Sequence, residues 1–269
     1  MITQFDPKDY WESRLQNHFD LKGVGDIGLP QSYNELLYRV RGHAFRRALK
    51  FLHLKAREFD VLDIGSGIGF YIDQLSRLAP HSLTGSDLTD AAVEKLRGRY
   101  PQTSFIQCDI GSLLPPALSG RQFDLVTAMD MLFHIVDDQH YATAFDNFAK
   151  LIKPGGWLIF SDNLMRVRKE AVPHQVSRAE SEVRRVLDRT GFKIKQITPM
   201  FVLMNDPVRS QSRLLRKTFS ILYRSAARGE RIGKLIGGLV YPIERVAIRS
   251  LSRGPSTEIV VCRKSKEQG

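Results

Sequence analysis

The chain has 269 residues, 42% of them hydrophobic and 26% charged, the proportions of a soluble globular protein with room for one sizeable core. Its formal charge of +11 is uneven: Pro207 to Gly254 holds eleven Arg or Lys against Glu230 and Glu244, a net +9. No uncharged apolar run is long enough to span a bilayer, the opening ITQFDPKDYWESR lacks the apolar stretch of a signal peptide, and Cys108 and Cys262 lack metal-ligand spacing, so a reduced, cytoplasmic chain without a metal is expected.

Residues from Asp6 to Leu52 read as two helical pieces separated by the loop GVGDIGLPQS. The second piece places Leu36, Leu37, Val40, Phe45, Leu49 and Leu52 at helical spacing. A strand, FDVLDIG, runs into three glycines and a short helix, YIDQLSRLA. SLTGSDL is a second strand, followed by the helix TDAAVEKLRGRY with Thr89 or Asp90 placed to cap it. SFIQCDI and FDLVTAMDML are a third and a fourth strand, and AFDNFAKLI is a helix that stops at the turn Lys153-Pro154-Gly155-Gly156. WLIFSDNL is a fifth strand, SRAESEVRRVLDRTGF a helix, KIKQITPMFVLM a sixth strand and STEIVVCRK a seventh. Apolar strands alternating with amphipathic helices predict a doubly wound, mostly parallel α/β sheet covered on both faces. No internal repeat or low-complexity tract interrupts it. The expected division is a single domain: a helical lid (1–56), a core (57–206), a basic helical cap (207–254) and a last strand with its tail (255–269). The cap is expected on the ligand edge of the sheet.

In such a sheet ligands bind at the carboxyl ends of the strands, where strand order reverses. Gly65, Gly67 and Gly69 allow a sharp turn there and a close backbone approach to a ligand. A dinucleotide fingerprint is G-x-G-x-x-G, whereas this chain reads D-x-G-x-G-x-G from Asp63, with Phe70 where that fingerprint has its last glycine. A carboxylate beside the turn would repel a pyrophosphate and suit a ligand carrying positive charge.

On these residues the chain resembles the class I S-adenosylmethionine-dependent methyltransferases, over roughly residues 35–200 and the last strand. VLDIGSGIG matches the family's first motif, in which Gly65, Ser66, Gly67 and Gly69 form the cofactor turn. The resemblance implies that Asp63 lies near the methionine ammonium, partly through water, and holds the turn in shape. It implies that Asp87, with Leu88 beside it, takes the ribose hydroxyls, for which an ionised carboxylate has the lone pairs. Asp109 would meet the adenine amino group with Ile110 against the ring, and Ala128 and Met129 would line the methionine end. Any one of these aspartates alone reads more often as an ordinary cap or turn residue. The implied fold is Rossmann-like, with seven strands and an antiparallel last strand.

Methyl transfer from a sulfonium needs in-line orientation and exclusion of water, and a base only where the acceptor must lose a proton. His134 and Asp130 are the candidate catalytic residues, with Asp162 and Asn163 as rivals; His134 has the alternative of packing or bonding to the backbone. Arg39 is the candidate for the methionine carboxylate, its alternative being a solvated face, and Tyr33, Tyr38 and Arg41 are its neighbours. His174 reads as a surface residue, Asp137 and Asp138 as helix caps, and Tyr10 and Trp11 as packing.

AMDMLF after the fourth strand is not the N/D-P-P-Y/F type of enzymes that methylate base or glutamine amines, and no aromatic-basic interleaving for single strands is present, which disfavours nucleic acid. The expected partner is a small-molecule acceptor, acidic or lipid-linked: a natural product, a sugar or a lipid-linked intermediate. The alternatives are an RNA methyltransferase and a non-catalytic S-adenosylmethionine-binding protein. In the basic segment Leu214, Leu215, Phe219 and Leu222 share one helical face among Arg213, Arg216, Lys217 and Arg224, a pattern that would cover the sheet, attract an acidic acceptor, or make peripheral contact with an anionic membrane.

Overall fold

A computed structural model describes residues 5–266; the outermost residues of the expected lid and tail, 1–4 and 267–269, lie outside the described residues. Seven strands form one sheet in the order β3-β2-β1-β4-β5-β9-β8. They are β1 (Asp60–Ile64), β2 (Ser82–Asp87), β3 (Ser104–Gln107), β4 (Phe123–Ala128), β5 (Ile152–Asp162), β8 (Phe192–Pro199) and β9 (Glu258–Lys264). β9 runs antiparallel to both β5 and β8, and the other neighbouring pairs are parallel. This is the expected Rossmann-like α/β sheet with its antiparallel last strand.

Strand residues alternate between two cores, as a pleated sheet covered on both faces requires. Val61, Leu125, Ile159 and Val261 face one core, and Leu62, Val126, Phe160 and Val260 the other. The first core is closed by α3 (Gln31–Phe51) and α4 (Phe70–Ser76), the second by α6 (Asp138–Leu151) and α7 (Glu180–Arg189). A smaller cluster joins α1 (Pro7–Asn17) to α5 (Asp90–Arg99) through Leu15, Ala92 and Leu96.

The structure departs from the sequence reading in several places. A short helix, α2 (Leu21–Val24), runs into the start of the expected loop, because Asp20 accepts from the Lys22 N–H and starts a turn. β4 stops at Ala128, four residues early, because Asp130 has a left-handed backbone (φ +56°) that no strand continues through. The expected turn at Lys153–Gly156 is a kink inside β5: Gly155 takes φ +74° and the register against β4 shifts between Phe123 and Leu125. β8 ends at Pro199, where the expected strand continues to Met204. A small hairpin, β6 (Lys169–Val172) with β7 (Gln175–Ser177), occupies what reads as a loop.

The basic segment forms α8 (Arg213–Ala226) and α9 (Glu230–Ser250). It does not cover the ligand edge: none of its residues lines the cavity described below. α9 lies on the outer side of α3, where Gly237 brings the helices so close that a Cβ would stand 2.5 Å from Leu36. The apolar stripe read from the sequence, on α8, does not cover the sheet: Leu214 is exposed and Leu215, Phe219 and Leu222 are only half-buried. Both acidic residues of the segment are used there. Glu230 accepts from the N–H groups of Gln31 and Ser32 (2.9 Å each) and caps α3, which has no side-chain cap of its own. Buried Glu244 accepts from the N–H groups of Val202 and Leu203 (2.7 Å each). At the foot of the segment Arg209 and Arg253 both pair with Glu180 and with buried Glu258.

Candidate active site

The sheet order reverses between β1 and β4, and a cavity of about 1130 Å³ opens at the carboxyl ends of those strands. One wall is the glycine turn. Gly65, Gly67 and Gly69 have φ of +74°, +54° and +87°, so side chains would strain all three positions. The N–H groups of Gly65 and Ser66 both reach the Ser86 carbonyl (2.9 Å), which ties the turn to the end of β2. Gly65, Ser66 and Gly67 line the cavity; Gly69 does not, and serves as the left-handed N-cap of α4.

Asp87, at the end of β2, lines the cavity and accepts from Gly67 N–H (2.8 Å), Thr89 N–H (3.0 Å) and Thr89 Oγ1 (2.8 Å). Burial raises its pKa, opposed by the Thr89 and Gly67 N–H groups. Leu88 follows it on the wall. Asp109 is exposed at the mouth, accepting from Gly111 N–H (2.9 Å) and Ser112 Oγ (2.7 Å), and Ile110 is buried beside it. Met129 lines the cavity, while Ala128 lies beneath it in the second core.

Asp63 differs from its expected place. It sits between Gly85 of β2 and Thr127 of β4, 1% exposed, and does not line the cavity. Its carboxylate accepts from Thr127 Oγ1 (2.6 Å) and Ser66 Oγ (2.9 Å). Burial dominates and pushes its pKa up to about 7. It braces the glycine turn through Ser66.

The acid that faces the cavity at this end is Asp130. Its Oδ2 accepts from Arg41 Nε (2.9 Å) and Tyr71 Oη (2.6 Å), and its N–H donates to Ser161 Oγ (2.6 Å). The Arg41 guanidinium lies over the rings of Tyr38 and Phe201, with a buried Nη1 that has no protein partner. Arg39 is exposed and lines nothing in the cavity. Two residues along a helix is a rotation of about 200°, so Arg39 and Arg41 point to opposite sides of α3.

The far wall is aromatic. Trp11 of α1 meets the His134 ring edge-on (4.7 Å), and both line the cavity. His174, on the turn between β6 and β7, stacks on Tyr10 (5.2 Å, 14°). The His174 carbonyl lies 2.8 Å from His134 Nδ1. A carbonyl only accepts, so Nδ1 carries the proton and Nε2 holds the free lone pair. Burial pulls the His134 pKa down to about 4, which keeps the ring neutral. Sequence reasoning missed Trp11 as a cavity residue and His174 as the group that orients His134. The helix is held down by Glu12, which accepts from the N–H groups of Asp90 (2.8 Å) and Ala91 (2.9 Å) and so caps α5.

The rivals stand elsewhere. Asp162 and Asn163 are buried outside the cavity lining. Asp162, pushed by burial to about 6, meets Tyr141 Oη, and Asn163 bridges Ser177 and Thr257. Asp137 caps α6, and Asp138 pairs with Arg168 and Arg178. Among the described residues no group of three or more His, Cys, Asp or Glu could hold a metal ion.

A parallel sheet with a glycine turn, an acid ending the second strand and a lidded cavity at the switch point defines a Rossmann-like ligand-binding core. Residues 61–156 match a family model described as a methyltransferase domain. The core of this chain is thus similar to a methyltransferase domain. Among curated proteins it is 40% identical over 106 residues to a ubiquinone biosynthesis O-methyltransferase of Albidiferax ferrireducens, covering 38% of this chain and 40% of that protein. To the protein of that name from Nitrosomonas europaea it is 35% identical over 107 residues, covering 39% and 43%. The matches thus span less than half of either relative. Two solved structures share the fold: magnesium protoporphyrin IX methyltransferase of Synechocystis PCC 6803 with bound S-adenosylmethionine (TM-score 0.57, 15% identity, 98% of this chain and 100% of that one), and the N-methyltransferase NodS of Bradyrhizobium japonicum with S-adenosylhomocysteine (TM-score 0.54, 15% identity, 97% and 99%).

Proposed function

We propose that the chain methylates an oxygen of a small-molecule acceptor. S-Adenosylmethionine supplies the methyl group as a sulfonium electrophile. The residues on the cavity wall fit that cofactor: Asp87 offers oxygen lone pairs for a vicinal diol, Asp109 stands at the mouth for an exocyclic amine, and Asp130 presents a carboxylate toward a cationic group. Arg41 does not itself line the cavity, but it pairs with Asp130 there, and its buried Nη1 has no protein partner.

The observation that carries oxygen as the acceptor atom is the bond between His134 Nδ1 and the His174 carbonyl. It leaves Nε2 unprotonated on a residue that lines the cavity, which is what removal of a hydroxyl proton requires. The hydroxyl proton passes to Nε2 as the oxygen takes the methyl group. The O-methyltransferase names of the relatives support the same reading. Leu113, Pro115, Ile135 and Val136 give this part of the wall an apolar surface, suited to the body of an aromatic or lipid-linked acceptor.

Calorimetric titration with S-adenosylhomocysteine tests the cofactor. Wild type is expected to bind, and Asp87→Ala to lose roughly 10-fold or more, the cost of two charge-assisted hydrogen bonds. Labelled methyl transfer to metabolite pools then reports the acceptor. His134→Gln is expected to lower kcat by about 10²-fold or more while leaving cofactor binding intact. Cofactor binding with full turnover in His134→Gln would remove oxygen-acceptor base catalysis from the account.

A further inference from the structure

We propose that the outer face of α8 and α9 seats the protein on a lipid bilayer surface that carries anionic headgroups. Ile232, Leu235, Leu239, Ile243 and Val246 recur three or four residues apart on α9 and form one stripe. They point away from α3: Gly233, Gly237, Glu244 and Ile248 are the buried side of the helix. Leu235, Leu239, Ile243 and Val246 are 63%, 65%, 59% and 64% exposed, and Leu214 of α8 is 76% exposed. A continuous apolar stripe of this kind on a solvent face marks an interaction surface, where single exposed leucines would not.

The charge around the stripe identifies the occupant. Of the eleven basic residues in the segment, Arg209 and Arg253 are paired at its foot, which leaves nine with no ion pair among the described residues. Of its two acids, Glu244 is buried on the backbone of Val202 and Leu203, and Glu230, though exposed, is engaged by the N–H groups that open α3. Nothing within the segment neutralises the outward face. Arg231, Lys234, Arg245 and Arg249 run along one edge of the apolar stripe, and Arg245 Nε is buried without a partner. His43 and Arg46 of α3 lie against this edge, and their pKa values are lowered first by burial and then by neighbouring arginines. An apolar stripe flanked by uncompensated cations is complementary to acyl chains flanked by phosphate headgroups. A second copy of the chain would bring like charge against like charge across the same stripe. No helix of the described residues is long and apolar enough to cross a membrane, so the contact lies in the plane of the interface.

The test is co-sedimentation of the full chain with vesicles of phosphatidylcholine alone and of equal parts phosphatidylcholine and phosphatidylglycerol, at low and high salt. Wild type is expected to pellet with the anionic vesicles at low salt and to remain in solution with phosphatidylcholine alone. The double variant Leu239→Glu with Ile243→Glu is expected to lose at least about 10-fold in partitioning, because it removes buried methylenes and adds charge. Arg249→Glu, which reverses one exposed charge, is expected to lose roughly 10-fold or more. All substituted side chains are on the solvent side, so unchanged thermal midpoints serve as the folding control. The proposal is overturned if wild type stays in solution with anionic vesicles at low salt. It is also overturned if the double variant pellets as well as wild type, since charge alone, as toward RNA, would then account for binding. A concentration-dependent dimer in sedimentation velocity that the double variant abolishes would assign the face to a second copy instead.

Discussion

At the scale of single residues, two buried groups have opposite pH signatures. Asp63 has a folded-state pKa of about 7 against an ordinary 3.8. The folded chain therefore holds a proton that the unfolded chain has already released, and stability falls as pH rises through that window. Asp63→Asn removes the ionisation. Its thermal midpoint is expected to gain on wild type between pH 5 and pH 8 by several degrees, read by calorimetric melting, and a constant difference across pH would contradict the assignment. His134 is the reverse case, with a pKa lowered from 6.5 to about 4. Here the unfolded chain binds the extra proton, and stability is lost as pH falls from 6.5 toward 4. A base of this kind is already neutral at pH 6, so kcat is expected to stay level from pH 6 to 8 and to fall only in the acid range. An inflection near 6.5 would mean an imidazole open to water.

At the scale of elements, α9 is held by a buried carboxylate as well as by apolar packing. Glu244→Ala leaves the N–H groups of Val202 and Leu203 without their acceptor. The expected loss is about 2–5 kcal/mol, measured by denaturant unfolding, with Glu244→Gln recovering part of it through its remaining oxygen. The lid makes a different prediction. Trp11→Ala removes a cavity wall and the edge contact to His134, so it should raise KM for the acceptor several-fold while leaving the thermal midpoint close to wild type. The elements themselves were largely legible before the structure. The alternation of strands and helices gives the sheet, and the glycine turn with Asp87 and Asp109 is readable because each is a local feature at the end of a strand. The rest depended on contacts distant in sequence. Arg41, Tyr71 and Asp130 come from three elements, and nothing local marks them as one cluster. The basic segment reads as helical, but nothing local shows that α9 packs on α3 through Gly237 and leaves the cavity edge open. The β6–β7 hairpin is four residues against three, with Pro173 and His174 in its turn, too short to show a period.

At the scale of the whole molecule, cofactor binding and folding are linked because the glycine turn, Asp87 and Asp63 belong to one hydrogen-bonded core. A ligand at about 100 times its Kd adds roughly 2.7 kcal/mol of stability, a rise of about 5–10 °C in Tm for a chain of this size. Thermal scans with S-adenosylhomocysteine are expected to show that rise in wild type and little of it in Asp87→Ala. The same scans with adenosine alone should give a smaller shift, because adenosine leaves the Asp130 end of the cavity without a partner.

The bond between His134 and the His174 carbonyl ties two events together. His174 stacks on Tyr10, one residue before Trp11, so the residue whose carbonyl orients the proposed base rests on the lid. With the lid seated, the proton on Nδ1 is fixed and Nε2 is free. Without Tyr10 the hairpin turn would lose its stacking partner, and the imidazole would be free to exchange its proton between the two nitrogens. If His134 is the base proposed above, catalytic competence is in this sense conditional on enclosure, the base being armed only when water has been shut out. Tyr10→Ala should therefore slow turnover more than it weakens the binding of either ligand, the mark of a latch and not of a binding contact.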